Sequence, residues 1–246
     1  MKLFNLQNAP KSVIENSGAE SSIRIRCTMD KSDGPLELSI MDTIGSDGFG
    51  GGISASDIQT VIAAHKDREI HATINSLGGS FYEGLAIANA IISHEQPTQA
   101  TVTGIAYSAA SLIAAAFDTV VMHEASDFGI HRAWTFAMGN AEDLKETIAW
   151  LERVDEHAIT VYQAKTGSDR GDIYDWLVGE GSTDGTVFTA QQAVEAGFAD
   201  RMISIEKDES DAEQANAASR NAAMLLVDPR AAYEIRQKQL KARLGR

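Results

Sequence analysis

The sequence has a single cysteine, Cys27, so no disulfide can close within the chain and nothing demands an oxidising compartment. It has no long hydrophobic run. The longest apolar stretch, Ser111 to Phe117, falls far short of the ~20 residues a helix needs to span a bilayer. Met1-Lys2-Leu3-Phe4-Asn5 carries one positive charge with no apolar stretch behind it, so no secretory signal is visible and the expected location is cytoplasmic. Basic charge is scarce: 21 Lys and Arg stand against 35 Asp and Glu, a net charge of −14. The deficit lies in residues 1–205, with 13 basic and 28 acidic side chains; residues 206–246 hold 8 and 7. An acidic body repels phosphate backbones, which argues against a nucleic-acid partner, and no membrane partner is indicated.

What is present is an ordinary globular composition, 43% hydrophobic and 23% charged over 246 residues, enough for one large domain with its own core. Residues 1–22 are polar and patternless and read as an N-terminal arm. Residues 23–205 read as the folded domain, and 206–246 as an acidic linker followed by a basic C-terminal helix. Strand-like alternation occurs at Ile23–Cys27 and Leu36–Ile40. After the glycine-rich stretch 45–52, Ser54 is a suitable N-cap for a helix carrying Ile58, Val61 and Ile62. A strand at 70–74, a helix at 81–92, a strand at 100–104 and a small-residue helix at 108–116 follow, then short strands at 120–122 and 128–130. From N-cap Asn140 to about Lys165 runs one long amphipathic helix, with Leu144, Ile148, Leu151, Ala158 and Tyr162 on one face. At ~38 Å it either caps the sheet lengthwise or projects towards another subunit. The alternation of strands and helices predicts an α/β fold with mainly parallel strands, whose ligands bind where strands end.

Two strand-to-helix junctions carry the chemistry. In Asn75-Ser76-Leu77-Gly78-Gly79-Ser80 the paired glycines let backbone N–H groups face a ligand, or simply make a tight turn. It is neither a Walker A loop nor a GxGxxG fingerprint. In Gly104-Ile105-Ala106-Tyr107-Ser108-Ala109-Ala110-Ser111, Ser108 stands between Ala106 and Ala110. This resembles the setting of a nucleophile elbow, although an N-cap serine would read the same way. Ser111 is a rival nucleophile placed one turn inside the helix.

A serine nucleophile needs a base. Of the six histidines, His131 follows an apolar strand and precedes a loop, while His157 sits among charges and His94 ends a helix. The acid that would orient the imidazole is open among Asp169, Asp172, Asp175, Glu180 and Asp184.

Four segments in this order, 74–79, 104–111, 130–131 and 188–200, resemble the proteolytic subunit of the Clp protease (ClpP-like serine peptidases), and most closely the phage head maturation (prohead) proteases. The resemblance spans roughly residues 36–205. It implies Ser108 as nucleophile, His131 as general base, and the N–H groups of Gly79 and Ala109, beside Gly78, as the oxyanion hole. The family's acid aligns at or next to Gly185; Asp184 fits with a one-residue shift, and Glu180 stays open. Leu77 stands where the family has proline. The implied fold is a ClpP/crotonase-like spiral of ββα units with helix 140–165 as the handle. The implied assembly is a homo-oligomeric ring enclosing the sites. The implied substrates are proteins or peptides, among them scaffold or capsid proteins in the host cytoplasm or procapsid. No cofactor or metal is called for. An unfoldase ATPase partner is left open, since the chain itself has no nucleotide motif.

Three other readings compete. A signal-peptide-peptidase-like serine–lysine dyad would need Lys31 or Lys66 delivered to Ser108. A crotonase-type acyl-CoA enzyme would have no use for a Ser108–His131 pair. A catalytically silent ring could serve as an assembly component.

Overall fold

The computed structural model describes residues 34–46, 51–180 and 184–205. The expected N-terminal arm, the strand at 23–27 and the linker and helix of 206–246 lie outside the described residues. The elements run β1 (Leu36–Ile40), α1 (Ala55–Ala64), β2 (Ile70–Ser76), α2 (Phe81–Ile92), β3 (Thr98–Tyr107), α3 (Ala109–Ala115), β4 (Thr119–His123) and β5 (Asp127–Ile130). They continue with α4 (Ala141–Thr166), α5 (Arg170–Val178), β6 (Thr186–Thr189), α6 (Ala190–Glu195) and β7 (Arg201–Ile203).

The expected α/β fold is what forms. Strands β1, β2, β3, β4 and β7 lie side by side in that order, all parallel, and β5 pairs parallel with the last part of β3. Only β6 runs antiparallel, against β5. Side chains alternate along β1 and β2, so Leu36, Leu38 and Ile40 and then Ile70, Ala72 and Ile74 enter the core.

Strand β3 outlasts its expected end because it changes partner. Its first half pairs with β4, its last residues with β5, and between Ile74 and Ser76 its register with β2 shifts. Asn75 fills the irregularity: its Oδ1 accepts the Ile105 N–H at 3.1 Å, in space that only Gly104 leaves open. A Cβ at Gly104 would lie 2.4 Å from that oxygen.

Every residue of α3 is buried, which its run of alanines and serine permits in so short a helix. Gly84 of α2 faces it closely; a Cβ there would stand 3.0 Å from that of Ala109.

Helix α4 begins with a capping box at Asn140 and Asp143 and ends at left-handed Gly167. Its buried residues begin only at Val154, whereas Leu144 and Ile148 are exposed. The first half projects; the second half lies on the core, where Lys165 reaches the carbonyls of Phe117 and Asp118 and pairs with Asp200 at 2.8 Å.

Candidate active site

Parallel pairing of β3 with β5 brings the two strand ends together. Tyr107 lies opposite Gly129, and the Ser108 N–H donates to the Gly129 carbonyl at 3.0 Å. The next residues, Ser108 and His131, therefore leave the sheet at the same edge. Antiparallel β6 enters there, with Thr186 opposite Ile130, so Asp184 and Gly185 arrive at that edge as well. Ser108, His131 and Asp184 line one cleft of about 660 Å³ with Gly78, Gly79 and Ala109.

Ser108 does not behave as an N-cap. The caps of α1, α4 and α6 (Ser54, Asn140 and Thr189) are extended at negative φ and accept N–H groups with their side chains. Ser108 has φ 57° and ψ −127°, and its side chain makes no cap bond. It is the only non-glycine residue at positive φ among the described residues. Such a backbone costs an L-residue ~1–3 kcal/mol and throws the hydroxyl out of the turn into the cleft. Ser111, the rival, is fully buried; its hydroxyl contacts the Ser108 carbonyl at 2.6 Å and the Tyr162 hydroxyl at 2.9 Å, and it does not line the cleft.

The glycine loop packs directly on this turn. A Cβ on Gly78 (φ 90°) would fall 2.7 Å from the Ser108 Cβ and 2.8 Å from the Ala109 nitrogen. A bridge to Ile44 uses the Gly78 carbonyl and the Ser80 N–H, leaving the N–H of Gly79 outside both bonds. The Ala109 N–H belongs to the first turn of α3, where helix donors have no intrahelical acceptor.

His131 is held by three contacts. Its Nδ1 lies 2.7 Å from the Arg132 carbonyl, its ring stacks on Tyr107, and Asp184 Oδ2 lies 3.9 Å from the same Nδ1. The His131 side chain is 7% exposed and that of Asp184 74%. Position 185 cannot carry the acid: Gly185 has φ 88°, and a Cβ there would lie 2.1 Å from the Ile130 carbonyl oxygen and 2.5 Å from the His131 Cβ. Glu180, Asp169, Asp172 and Asp175 do not line the cleft; its carboxylates among the described residues are Asp184 and Asp155. Burial, with the Asp184 charge adding to it, holds the Tyr107 phenol above its ordinary pKa.

Asp155 is the cleft residue that sequence reasoning missed. It is 4% exposed, pairs with Arg132 Nε at 2.8 Å and accepts the Ala133 N–H at 2.7 Å. Hydrogen bonding to Asp155, against the opposing effect of burial, raises the Arg132 pKa. The signal was its place: the apolar positions 144, 148, 151, 158 and 162 step by three and four residues only if 155 belongs to the same face.

Apolar groups make up most of the remaining wall, with Leu77, Phe81, Leu112, Val154 and Ala158 among them. Among the described residues no group of three or more His, Cys, Asp or Glu side chains is arranged to hold a metal ion, and no helix is long and apolar enough to cross a membrane.

The family model described as Clp protease matches residues 53–206, more than half of the chain. The chain belongs to the Clp protease family. Membership implies a peptidase acting on protein substrates and an oligomeric assembly. The matched span contains both junctions, His131, α4 and Asp184.

Proposed function

We propose that the protein is a serine endopeptidase in which Ser108 is the nucleophile and His131 the general base. The backbone of Ser108 carries this reading: a serine forced to positive φ at a strand-to-helix turn, with its side chain unused by the helix, faces a cleft that His131 also lines. His131 would take the Oγ proton on Nε2 as the oxygen attacks a peptide carbonyl, then return it to the leaving amine. The N–H groups of Gly79 and Ala109 would receive the oxyanion, each such donor lowering the barrier by about 3–4 kcal/mol. Asp184, 3.9 Å from Nδ1, is the acid of this reading and acts by charge rather than by a hydrogen bond. The mostly apolar wall suits the side chains of an unfolded polypeptide.

The assembly is a homo-oligomeric ring, supported by family membership and by the apolar residues on the projecting half of α4. Sequence resemblance to the prohead proteases supports scaffold and capsid proteins as substrates during phage head maturation, in the host cytoplasm or procapsid. The test is fluorophosphonate labelling followed by peptide mapping. Phosphonylation of Ser108, with loss of fluoride from the probe, is expected and should disappear on His131→Ala; labelling elsewhere or none removes the assignment. Incubation with candidate scaffold and capsid proteins then tests the narrower role.

A further inference from the structure

One peptide unit at the site touches two side chains at once. The carbonyl of Arg132 stands 2.7 Å from His131 Nδ1, and the N–H of the same peptide, belonging to Ala133, donates to Asp155 Oδ1 at 2.7 Å. The second carboxylate oxygen, Oδ2, accepts Arg132 Nε at 2.8 Å. From the other side the Arg132 N–H donates to the Leu177 carbonyl at 3.2 Å, so the strap after β5 is fixed between α4 and α5. A carbonyl can only accept, so its contact with Nδ1 places the proton on that nitrogen and leaves Nε2 with its lone pair.

We propose that Asp155 is a positioning residue for His131, acting through the Arg132–Ala133 peptide to hold the imidazole in its Nδ1–H tautomer. This rests on the Ser108–His131 reading above and supplies what Asp184 does not. Asp184 stands 3.9 Å from Nδ1 with a largely exposed side chain, beyond hydrogen-bond range. Asp155 is buried and spends one oxygen on each neighbour, the arrangement a buried carboxylate requires. A carboxylate on the N–H end of a peptide polarises it, so the carbonyl becomes a better acceptor at its other end. As Nε2 takes the serine proton, the imidazolium keeps its Nδ1–H on that carbonyl, and no further proton moves. The groups around the ring are then Tyr107, Ser108, Asp184 and the Arg132 carbonyl, with the guanidinium of Arg132 partly offsetting the Asp155 charge.

The test uses opposite charge changes on the same strap. Asp155→Asn keeps an acceptor for the Ala133 N–H but removes the charge. We expect kcat to fall about tenfold or more, equivalent to ~1.4 kcal/mol of barrier, with KM changed less than about twofold. The acid limb of the kcat/KM profile should move to lower pH, because the imidazolium loses support. Arg132→Gln leaves the Asp155 charge unopposed and should move that limb to higher pH. A purely structural role would shift neither limb, or both the same way, and either result overturns the proposal. Unchanged kcat in Asp155→Asn does so too.

Should the variants fail to fold, nitrogen NMR of histidine-labelled wild type decides. Neutral His131 should be the Nδ1–H tautomer, and an Nε2–H form sinks the idea. Absence of fluorophosphonate labelling in the wild type would remove the nucleophile assignment instead, and the tautomer would still decide the strap.

Discussion

The rings of Tyr107 and His131 lie nearly parallel, with centroids 5.3 Å apart and 20° between their planes. Gly129 makes the room: a Cβ there would fall 2.0 Å from the Tyr107 ring. The phenol O–H reaches on to the Asp184 carbonyl at 3.4 Å, so one side chain ties the end of β3 to the imidazole and to the approach of β6. Stacked rings contribute about 0.5–1.5 kcal/mol beyond buried area, so Tyr107→Ala should lower kcat by roughly two- to tenfold. Tyr107→Phe keeps the stack and should stay close to wild type. Hydrolysis of a fluorogenic peptide separates the two; an unimpaired Ala variant would mean that ring orientation is set without Tyr107.

Ser108→Ala should abolish peptide cleavage and leave the oligomer intact. Ser108→Gly should be just as inactive yet more stable than the Ala variant by about 1 kcal/mol, because glycine occupies φ 57° without the strain a Cβ suffers there. Urea unfolding of the two inactive proteins checks this directly. Equal midpoints would show that the turn stores no strain.

That Ser108 and His131 would meet at one cleft could be read from sequence, that Asp155 joins them could not, and the reason is physical. Both readable residues follow apolar strands, and a parallel sheet brings strand ends to one edge whatever the details of packing. Asp155 acts from the middle of a helix, where a charge ordinarily faces water; only its intrusion into the apolar positions 151, 158 and 162 betrays burial. That same face left two courses open for the helix, along the sheet or out from it; Leu144 and Ile148 remain exposed because the helix outruns the core beneath it. Helix α5 and the three- and four-residue strands β6 and β7 left too little pattern to read. The carboxylate near His131 was hard to place because Gly185 has no space for a side chain, and Asp184, one residue earlier, lies further out.

Asp184→Asn should cost little. An exposed charge 3.9 Å from Nδ1 contributes about 0.2–1 kcal/mol, so turnover should fall no more than roughly fivefold, and the difference should shrink in high salt. Measuring both Asp184→Asn and Asp155→Asn at two ionic strengths ranks the carboxylates. A loss of several orders of magnitude at Asp184 would mean that substrate binding closes the 3.9 Å gap.

Tyr162 is fully buried against α3, and burial drives its pKa well above the ordinary value of 10.0, outweighing the opposing bond from Ser111. The unfolded chain gives up this proton near pH 10 while the folded one keeps it. The unfolded state therefore binds fewer protons there, and stability that is complete below pH 10 declines as pH rises beyond it. Tyr162→Phe should lose about 1 kcal/mol at neutral pH, the worth of one buried hydrogen bond, but show a shallower alkaline decline. Parallel slopes in thermal melts from pH 9 to 11 would contradict the assignment.

The projecting half of α4 and the loop before it present Trp134, Phe136, Met138, Leu144 and Ile148 to solvent, with Phe136 92% and Met138 99% exposed. Large apolar side chains gathered on one protrusion mark an association surface. Leu144 and Ile148 precede the buried part of the helix, which starts at Val154. Ile148→Glu should therefore break the assembly without lowering the melting temperature of the subunit itself. Native mass spectrometry should show the wild type as a ring-sized oligomer and Ile148→Glu as smaller species. If labelling of Ser108 also falls in those smaller species, the intact ring shapes the cleft; if it persists, the ring only encloses it. A wild type that stays monomeric at micromolar concentration would leave this surface without a self-partner and remove the enclosed chamber from the mechanism.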